Sequence, residues 1–512
     1  MQRGAASLVV GSLIMATGMT LTSAAGAAPA TSGSWPYSNG NLANTRVATG
    51  STIALANVSQ LKERWSFKLT GKAADAVEAS TMAANPIVVN GIVYMQDLRN
   101  DVFAVSLATG KLIWEYLVNK PELSGPGPNG VAVVDGTVYG ASPRTFFALK
   151  ATTGKLLWVD KKLLNKGQGT FGIQPQVADG RVYLASQYGS GPGGGILIAL
   201  NASNGHELWK FNTVTRSDSG VEAAGLGSGG AWETPLVGTN GTVTFGIGNP
   251  YQTAANAIAN PSKQLYTDSD VNLNAATGKL NWYYQGVPND FKDYDMQASP
   301  ISTSAHGVPV VIGGGKMGYV YEMNAVTGQL LWKTPVGEHN GHDNDSLKAL
   351  EHKLNLKAPY TILPGSLGGI LTNMASAGNS VYLATLDVSI TASLLSDVVG
   401  TKAGKESGEV EALNLTTGKV EWDTKVKGLP CGAATVVNNL VFTTDLFGTK
   451  KLVQSRLLAF NRTTGALVLD LKLPDATNSP IAIAGNTVIV PAGGPSAPHQ
   501  DGVPQIVAYS IP

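Results

Sequence analysis

The 512-residue sequence has one cysteine, Cys431, so no intramolecular disulfide braces it. Cys431 stands in "GLPCGAATVVNNLVF", before a strand-like run, and reads as a buried, unreactive thiol. The C-x-x-C-H of c-type haem attachment is absent. Charge is scarce: Asp, Glu, Lys and Arg make up 14%, the net charge is +1, and no block of Lys or Arg stands out. That excludes nucleic acid and anionic membrane as expected partners. Neither G-x-S-x-G nor H-E-x-x-H occurs, which argues against the common serine and zinc hydrolases. After the first 30 residues no hydrophobic run suits a membrane span, so no transmembrane domain is expected once a leader is removed.

That leader reads "MQRGAASLVVGSLIMATGMTLTSAAGAAPATSGS". Arg3, an apolar stretch and small residues around Ala25–Ala30 fit a secretory signal over residues 1–30, cleaved near Ala28 or Ala30. The alternative is an uncleaved anchor. No cysteine is near, which excludes lipid attachment there. The expected location is secreted or periplasmic, at the cell envelope.

What the chain has in plenty is glycine, 61 residues, with 43% hydrophobic content. Many tight turns within a chain able to bury a large core suggest an all-β fold. One phrase recurs: "LATGKLIW", "ATTGKLLW", "ASNGHELW", "AATGKLNW", "AVTGQLLW" and "LTTGKVEW", ending at Trp114, Trp158, Trp209, Trp282, Trp332 and Trp422. A seventh copy, "RTTGALVL", has Leu469 in place of Trp. The Gly suits the left-handed position of a hairpin, and the residues after it alternate as in a strand. Spacings run from 44 residues (Trp114 to Trp158) to 90 (Trp332 to Trp422), which fits blades of about four strands around an axis. The wide intervals should carry long loops. "NVSQLKERWSFKL" places Trp65 on an isolated early strand, and "SPIAIAGNTVIVPAGG" and "QIVAYSIP" add strands at the other end. The expectation is one eight-bladed β-propeller over residues 31–512, closed by N- and C-terminal strands, with Trp packed between blades.

These repeats resemble those of the pyrroloquinoline quinone (PQQ) propellers, which include quinoprotein alcohol dehydrogenases and non-catalytic propellers that scaffold outer-membrane protein assembly. Other stretches resemble the dehydrogenase branch: "SWPYSNGNLANTR", "GGAWETPLVGTNGTVTFGIGNPY", "WYYQGVPNDFKDYDMQASP", "VVIGGGKMGYVYEMNAVTG" and "LPGSLGGILTNMASAGNSVYLAT". The resemblance implies Trp232 as an aromatic floor for the quinone, Asn249 as a calcium ligand, Asp293 as general base bordering the metal, and Lys316 as a hydrogen-bond donor to the quinone oxygens. Gln187 and Gly189 would line the cofactor, with Ser190 beside the metal. A Trp face suits a flat cofactor, calcium takes oxygen ligands, and a carboxylate can take an alcohol's proton. In "NDFKDYDMQASP", Asp290 and Asp295 are expected to shape the loop or orient Asp293.

The sequence also departs from the family pattern. Ser190 stands where a Glu calcium ligand is usual, Ala83 where dehydrogenases often have Glu, and Asn129 nearest a cofactor-binding Arg. Gly172 replaces a Thr, and Asn289 a His. PQQ carries three carboxylates, so the lost Arg and Glu weaken both the cofactor's and the metal's charge balance. "GEHNGHDNDSLKALEH" could bind metal through its His and Asp residues, but reads as a polar loop near the propeller mouth. "GSGPGGG" at 189–195 lacks the helix and Lys-Ser/Thr of a phosphate cradle and reads as a turn. The expected activity is oxidation of a small or polymeric alcohol to a carbonyl with PQQ and calcium, electrons passing to an external acceptor. The alternative is a non-catalytic envelope or extracellular binding propeller.

Overall fold

A computed structural model describes residues 33–70, 82–118, 129–165, 167–187, 194–214, 229–259, 264–355, 360–392, 403–449, 452–493 and 503–511. The expected signal sequence, Gly189 and Ser190 lie outside them. The described strands form eight sheets, the eight blades of a propeller, numbered in chain order with main strands over residues 87–116, 132–160, 170–212, 236–285, 301–335, 360–426 and 435–472 for blades 1 to 7, and 482–510 with 62–68 for blade 8. Blade 1 is a meander of Ile87–Val89, Ile92–Gln96, Val102–Ser106 and Leu112–Tyr116. Its third strand is buried at four of five positions, because both faces pack against neighbouring blades, whereas the outermost strand buries only Trp114. The inner strands are therefore almost continuously apolar, and the outer ones alternate.

The chain ends meet in blade 8. There Lys62–Lys68 pairs antiparallel with Gln505–Ser510, next to Thr487–Ala492 and Ala482–Ala484. The ring is thus closed by N- and C-terminal strands, as the sequence suggested. Part of the wide Trp332–Trp422 interval is not loop. It extends a hairpin of two long strands, Ser380–Ala392 and Ala403–Asn414.

Each repeat tryptophan docks on the turn glycine of the next blade. Trp65 lies against Gly110, Trp114 against Gly154, Trp158 against Gly205, Trp209 against Gly278, Trp282 against Gly328, Trp332 against Gly418 and Trp422 against Gly465. A Cβ on any of these glycines would sit 2.6–2.8 Å from an atom of its docking tryptophan, and at Gly418 and Gly465 it would also meet a threonine hydroxyl. All seven have positive φ, so backbone and neighbour both demand Gly. Most of these indoles also donate to a carbonyl beyond the blade junction, as Trp209 Nε1 does to Ala275 (3.0 Å) and Trp282 Nε1 to Ala325 (3.0 Å). Leu469 breaks the series for a reason. The blade after it is the closing one, where chain ends replace the hairpin turn, so there is no turn glycine to dock on.

Residues 35–48 pin the axis. Ser38 Oγ is 2.8 Å from Thr234 Oγ1, Asn39 Nδ2 donates to Ser299 Oγ (3.1 Å), and Asn44 Nδ2 to the Pro300 carbonyl (3.0 Å). Arg46 is fully buried and donates to Asn39, Asn85, Ala434, Thr435 and Ile481 at 2.7–2.9 Å. Burial lowers its pKa to about 9, with Glu233 opposing, so it is still a cation at neutral pH. One segment therefore ties blades 1, 4, 5, 7 and 8 together. Cys431 is half-buried rather than fully buried.

Candidate functional site

The site is built on blades 4 and 5 by three connections. Asn249 follows the strand Thr242–Gly246, Asp293 lies in the loop after Leu280–Gln285, and Lys316 sits at the turn after Val308–Gly315. Asn249 Nδ2 donates to Asp293 Oδ1 in a short hydrogen bond. Lys316 Nζ donates to Asp293 Oδ2 (2.9 Å) and lies 2.6 Å from Asp295 Oδ2, while Asp295 Oδ1 accepts from the Asn249 N–H (2.7 Å). Trp232 closes one side. Its indole donates to Gln297 Oε1 (3.1 Å), and a Cβ on Gly248 would lie 2.7 Å from the ring and 2.6 Å from Asp295 Oδ1. Gly248 is thus required for Trp232 to approach the carboxylates. The structure brings Trp232, Asn249, Asp293 and Lys316 to one place.

Asp290 shapes the loop. Its two oxygens accept from the Lys292 N–H (2.9 Å) and the Tyr294 N–H (2.8 Å), and Asp293 adopts positive φ between them. Burial drives the Asp293 carboxyl up to about 7, Asp295 adds to the rise, and Lys316 opposes it. Lys316 is pushed well above the ordinary lysine value: its two carboxylates outweigh the burial that lowers it. A carboxylate balanced near neutrality beside a fixed cation is suited to take a proton.

Other expected residues fall elsewhere. Gln187 is fully buried in blade 3, its amide donating to the Gly172 carbonyl (3.0 Å), and it fills the space a side chain at 172 would need. Asn129 is buried and donates to the Asp97 carbonyl (2.7 Å), and Ala83 is buried too. Neither supplies charge. Asn249 turns its amide oxygen to the Tyr251 N–H (3.1 Å) and its nitrogen to Asp293, whereas a calcium ligand would present the oxygen to the ion. In the His/Asp loop, His339 Nδ1 pairs with Asp343 (2.8 Å) and His342 Nδ1 with Asp345 (2.9 Å). Among the described residues no three of this segment's own His and Asp side chains gather; the acidic trio that does gather, Glu338, Asp387 and Glu409, takes only Glu338 from it.

Sequence reasoning missed three acids. Asp268 and Asp270 are fully buried behind the site, and neither carboxyl has a hydrogen-bond partner among the described residues. Burial holds both well above the carboxylate range, and around Asp268 the charges of Asp290, Asp295 and Asp293 add to it. Glu233, next to Trp232, accepts from Asn373 Nδ2 (2.9 Å) and is pushed up to about 8 by burial. The only signal was "YTDSD", acids two apart at the start of a strand, which put both on one face.

The donor set on the Asp293–Lys316 side fits a hard cation and a flat, anionic quinone in kind: carboxylate and amide oxygens, a buried ammonium and an indole face. At Ala83 and Asn129 such a cofactor would find no charged partner.

The family model described as "Glucose/ethanol/alcohol dehydrogenase, beta-propeller domain" matches residues 35–133 and 194–341. That for "Outer membrane protein assembly factor BamB" matches 118–230 and 406–511. A quinoprotein alcohol dehydrogenase of Pseudomonas putida is 27% identical over 308 residues, 54% of this chain and 50% of that protein. A quinohemoprotein alcohol dehydrogenase of Comamonas testosteroni is 27% identical over 60% of this chain and 48% of its own length. The chain spans about half the length of such curated relatives. The crystal structure of the Comamonas enzyme superposes with a TM-score of 0.77 at 22% identity, over 94% of this chain and 80% of that one. A europium-containing methanol dehydrogenase gives 0.75 at 18% identity, over 93% and 98%. The repeats, the ring of eight blades and the matched segments together show that the chain belongs to the PQQ-type β-propeller family of quinoprotein alcohol dehydrogenases.

Proposed function

We propose that this protein oxidises an alcohol to a carbonyl as an exported quinoprotein, with residues 31–512 as its single propeller. The observation that carries the reading is the convergence of Trp232, Asn249, Asp293 and Lys316. The dehydrogenase model's second matched segment, 194–341, contains all four. Asp293 takes the hydroxyl proton of the alcohol. Lys316 holds Asp293 Oδ2 in place and keeps the carboxylate ionised near neutrality. Asp295, bound to the Asn249 N–H and Lys316, fixes both partners of Asp293. Trp232, anchored through Gln297 to the Leu371 carbonyl (2.9 Å), offers the flat face. When bound, PQQ would supply the two-electron acceptor and calcium the Lewis acid; Asp293 would hold the ion, and Asn249 would join it only with its amide turned over, so that the oxygen now on the Tyr251 N–H faces the metal. An external acceptor then takes the electrons.

A second reading has a specific observation behind it. The segments matched by the assembly-factor model, 118–230 and 406–511, exclude the Asn249–Asp293–Lys316 cluster, and Ala83 and Asn129 offer a cofactor no charge. On that reading the propeller is a non-catalytic binding scaffold. Reconstitution decides between them. The purified protein is incubated with micromolar PQQ and calcium, desalted, and assayed for retained cofactor and dye-linked alcohol oxidation. Retention, with turnover lost in Asp293→Asn, is expected. No retention refutes the quinoprotein reading, whereas equal turnover in the variant refutes only the role of Asp293.

A further inference from the structure

The outer strands of blades 1 and 2 leave carbon in water. Leu117 (39% exposed), Leu156 (41%) and Val159 (41%) open onto one groove of about 480 Å³ at the junction of the two blades. Beneath them lie Tyr116 of blade 1 and the buried Phe147 of blade 2, their ring centroids 5.4 Å apart. Large apolar residues grouped at a surface concavity mark a binding site, whereas singly scattered ones need no explanation. Arg144, also in the lining, stands in the turn between the second and third strands of its blade, Thr137–Ser142 and Thr145–Lys150, as Lys316 does in blade 5. The groove therefore opens on the same end of the propeller as the site above, but at the rim.

Two cations line this groove, and no described carboxylate does. Arg144 and Lys161 are both exposed, so solvent reaches their heads, and neither makes an ion pair or a side-chain hydrogen bond among the described residues. The acids nearby are turned away or engaged. Trp114 docks on Gly154 of blade 2, so Tyr116, two residues on, faces blade 2 as well, and Glu115 between them faces the other way, where it accepts from Thr70 Oγ1. Asp160 shares the face of Trp158, which docks on blade 3, and its Oδ1 accepts from the Lys162 N–H (2.7 Å). Asp101 is 2% exposed, and its Oδ1 accepts from the Val118 N–H (2.6 Å).

The chemistry of an occupant follows from this set. A cation would be repelled by both heads. A neutral chain would cover the carbon and leave the charge unanswered, and a small inorganic anion would do the reverse. A carboxylate on an alkyl or aryl body does both: the guanidinium fork and the ammonium take its oxygens, and the body lies along Leu117, Leu156 and Val159. The volume is within the range of small-ligand pockets and admits a body of about six to ten carbons. We propose that this groove binds an amphipathic monocarboxylate of that size, paired to Arg144 and Lys161. The proposal does not depend on the dehydrogenase reading.

Isothermal titration calorimetry of the full chain, without PQQ, tests it with hexanoate and 3-phenylpropanoate as probes, and with 1-hexanol and acetate as controls that each lack one half of the ligand. Saturable low-millimolar binding of a probe is expected, at least fivefold tighter than either control. Arg144→Gln and Lys161→Gln alter exposed heads without partners, so each should leave the melting temperature unchanged and weaken binding roughly three- to tenfold. Leu117→Glu, outside the strands, puts a carboxylate in the wall and should weaken binding more than tenfold. No saturable heat with either probe up to 50 mM overturns the proposal and leaves the groove to a protein partner. A control that binds as tightly as hexanoate overturns it too. So does binding that survives the Arg144→Gln, Lys161→Gln double variant or Leu117→Glu unchanged.

Discussion

Replacing Asp270 by Asn should stabilise this protein, by an amount set by pH. Asp270 is fully buried, neither oxygen has a partner, and burial is the whole cause of its raised pKa. The folded state therefore holds the carboxyl protonated at pH values where the unfolded chain has released the proton, near its ordinary value of 3.8. Where the folded state binds more protons than the unfolded one, stability falls as pH rises. The loss is about 1.4 kcal/mol per pH unit above 3.8, and it stops growing where the folded carboxyl ionises. Asn keeps the shape and the buried polar group but has no proton to lose. The variant should match the parent below pH 3.8 and gain on it by about 1.4 kcal/mol per pH unit above that, until the folded carboxyl ionises. The roughly 410 described residues at about 2.1 cal/mol/K each give an unfolding entropy near 0.9 kcal/mol/K, so each such pH unit is worth about 1.5 °C in melting temperature. Differential scanning calorimetry of both proteins from pH 3.5 to 6.5, at one scan rate, measures it. A difference that does not change with pH would refute the reasoning. It would mean that Asp270 is ionised in the folded state and balanced by a cation.

Lys316→Met removes the cation shared by Asp293 and Asp295 and should cost about 3–5 kcal/mol, read as a lowered urea midpoint. It should also raise the pH at which Asp293 ionises above about 7, so the rising limb of any alcohol-oxidation profile moves to higher pH. Trp209→Ala empties a blade junction and should cost about 3–5 kcal/mol, whereas Leu469→Trp should bring no gain, because the closing blade offers no turn glycine. A stabilising Leu469→Trp would contradict that explanation of the seventh repeat. Arg46→Met leaves the acceptors on Asn39, Asn85, Ala434, Thr435 and Ile481 without their shared donor, and should lower the melting temperature by about 3–5 °C, on the basis of about 3–5 kcal/mol.

The fold was legible because it rests on local rules repeated many times. A left-handed turn, an alternating strand and a bulky terminal residue are visible in each copy, and the wide gaps mark where extra chain enters. The site was legible only where residues sit in motifs. Asn249, Asp293 and Lys316 stand in recognisable stretches and do meet. Asp268 and Asp270 were not singled out, because an acid in a strand reads as a solvated face until the neighbouring blade is in place. What hides Asp270 is Gly313, 43 residues further on: a Cβ there would lie 2.0 Å from Asp270 Oδ2. At Gln187 the motif said nothing of the neighbour: the absent side chain at Gly172 leaves a gap, and the Gln187 amide lies in it.

The alternation in "NDFKDYD" is the feature that joins these observations. The loop leaves blade 4 and enters blade 5 without joining either sheet, so its own side chains set its course, helped by Gln252 Nε2 on the Asp290 carbonyl (2.7 Å) and the Lys316 N–H on the Asp295 carbonyl (3.0 Å). Asp290 fixes the turn through two backbone N–H groups, which frees Lys292 and Tyr294 to face outward. There Tyr294 Oη donates to the Pro364 carbonyl (2.6 Å), and Lys292 Nζ to the carbonyls of Asp343 and Asp345. The outward residues thus bolt the loop to the His/Asp segment, and the same bolts leave Asp293 and Asp295 on the inner side with Lys316. Shortening this stretch by one residue would exchange the two faces, placing a lysine where a base is needed. The chain must therefore keep the spacing as well as the residue types, because Asp293 holds its positive-φ conformation between two residues that face the other way.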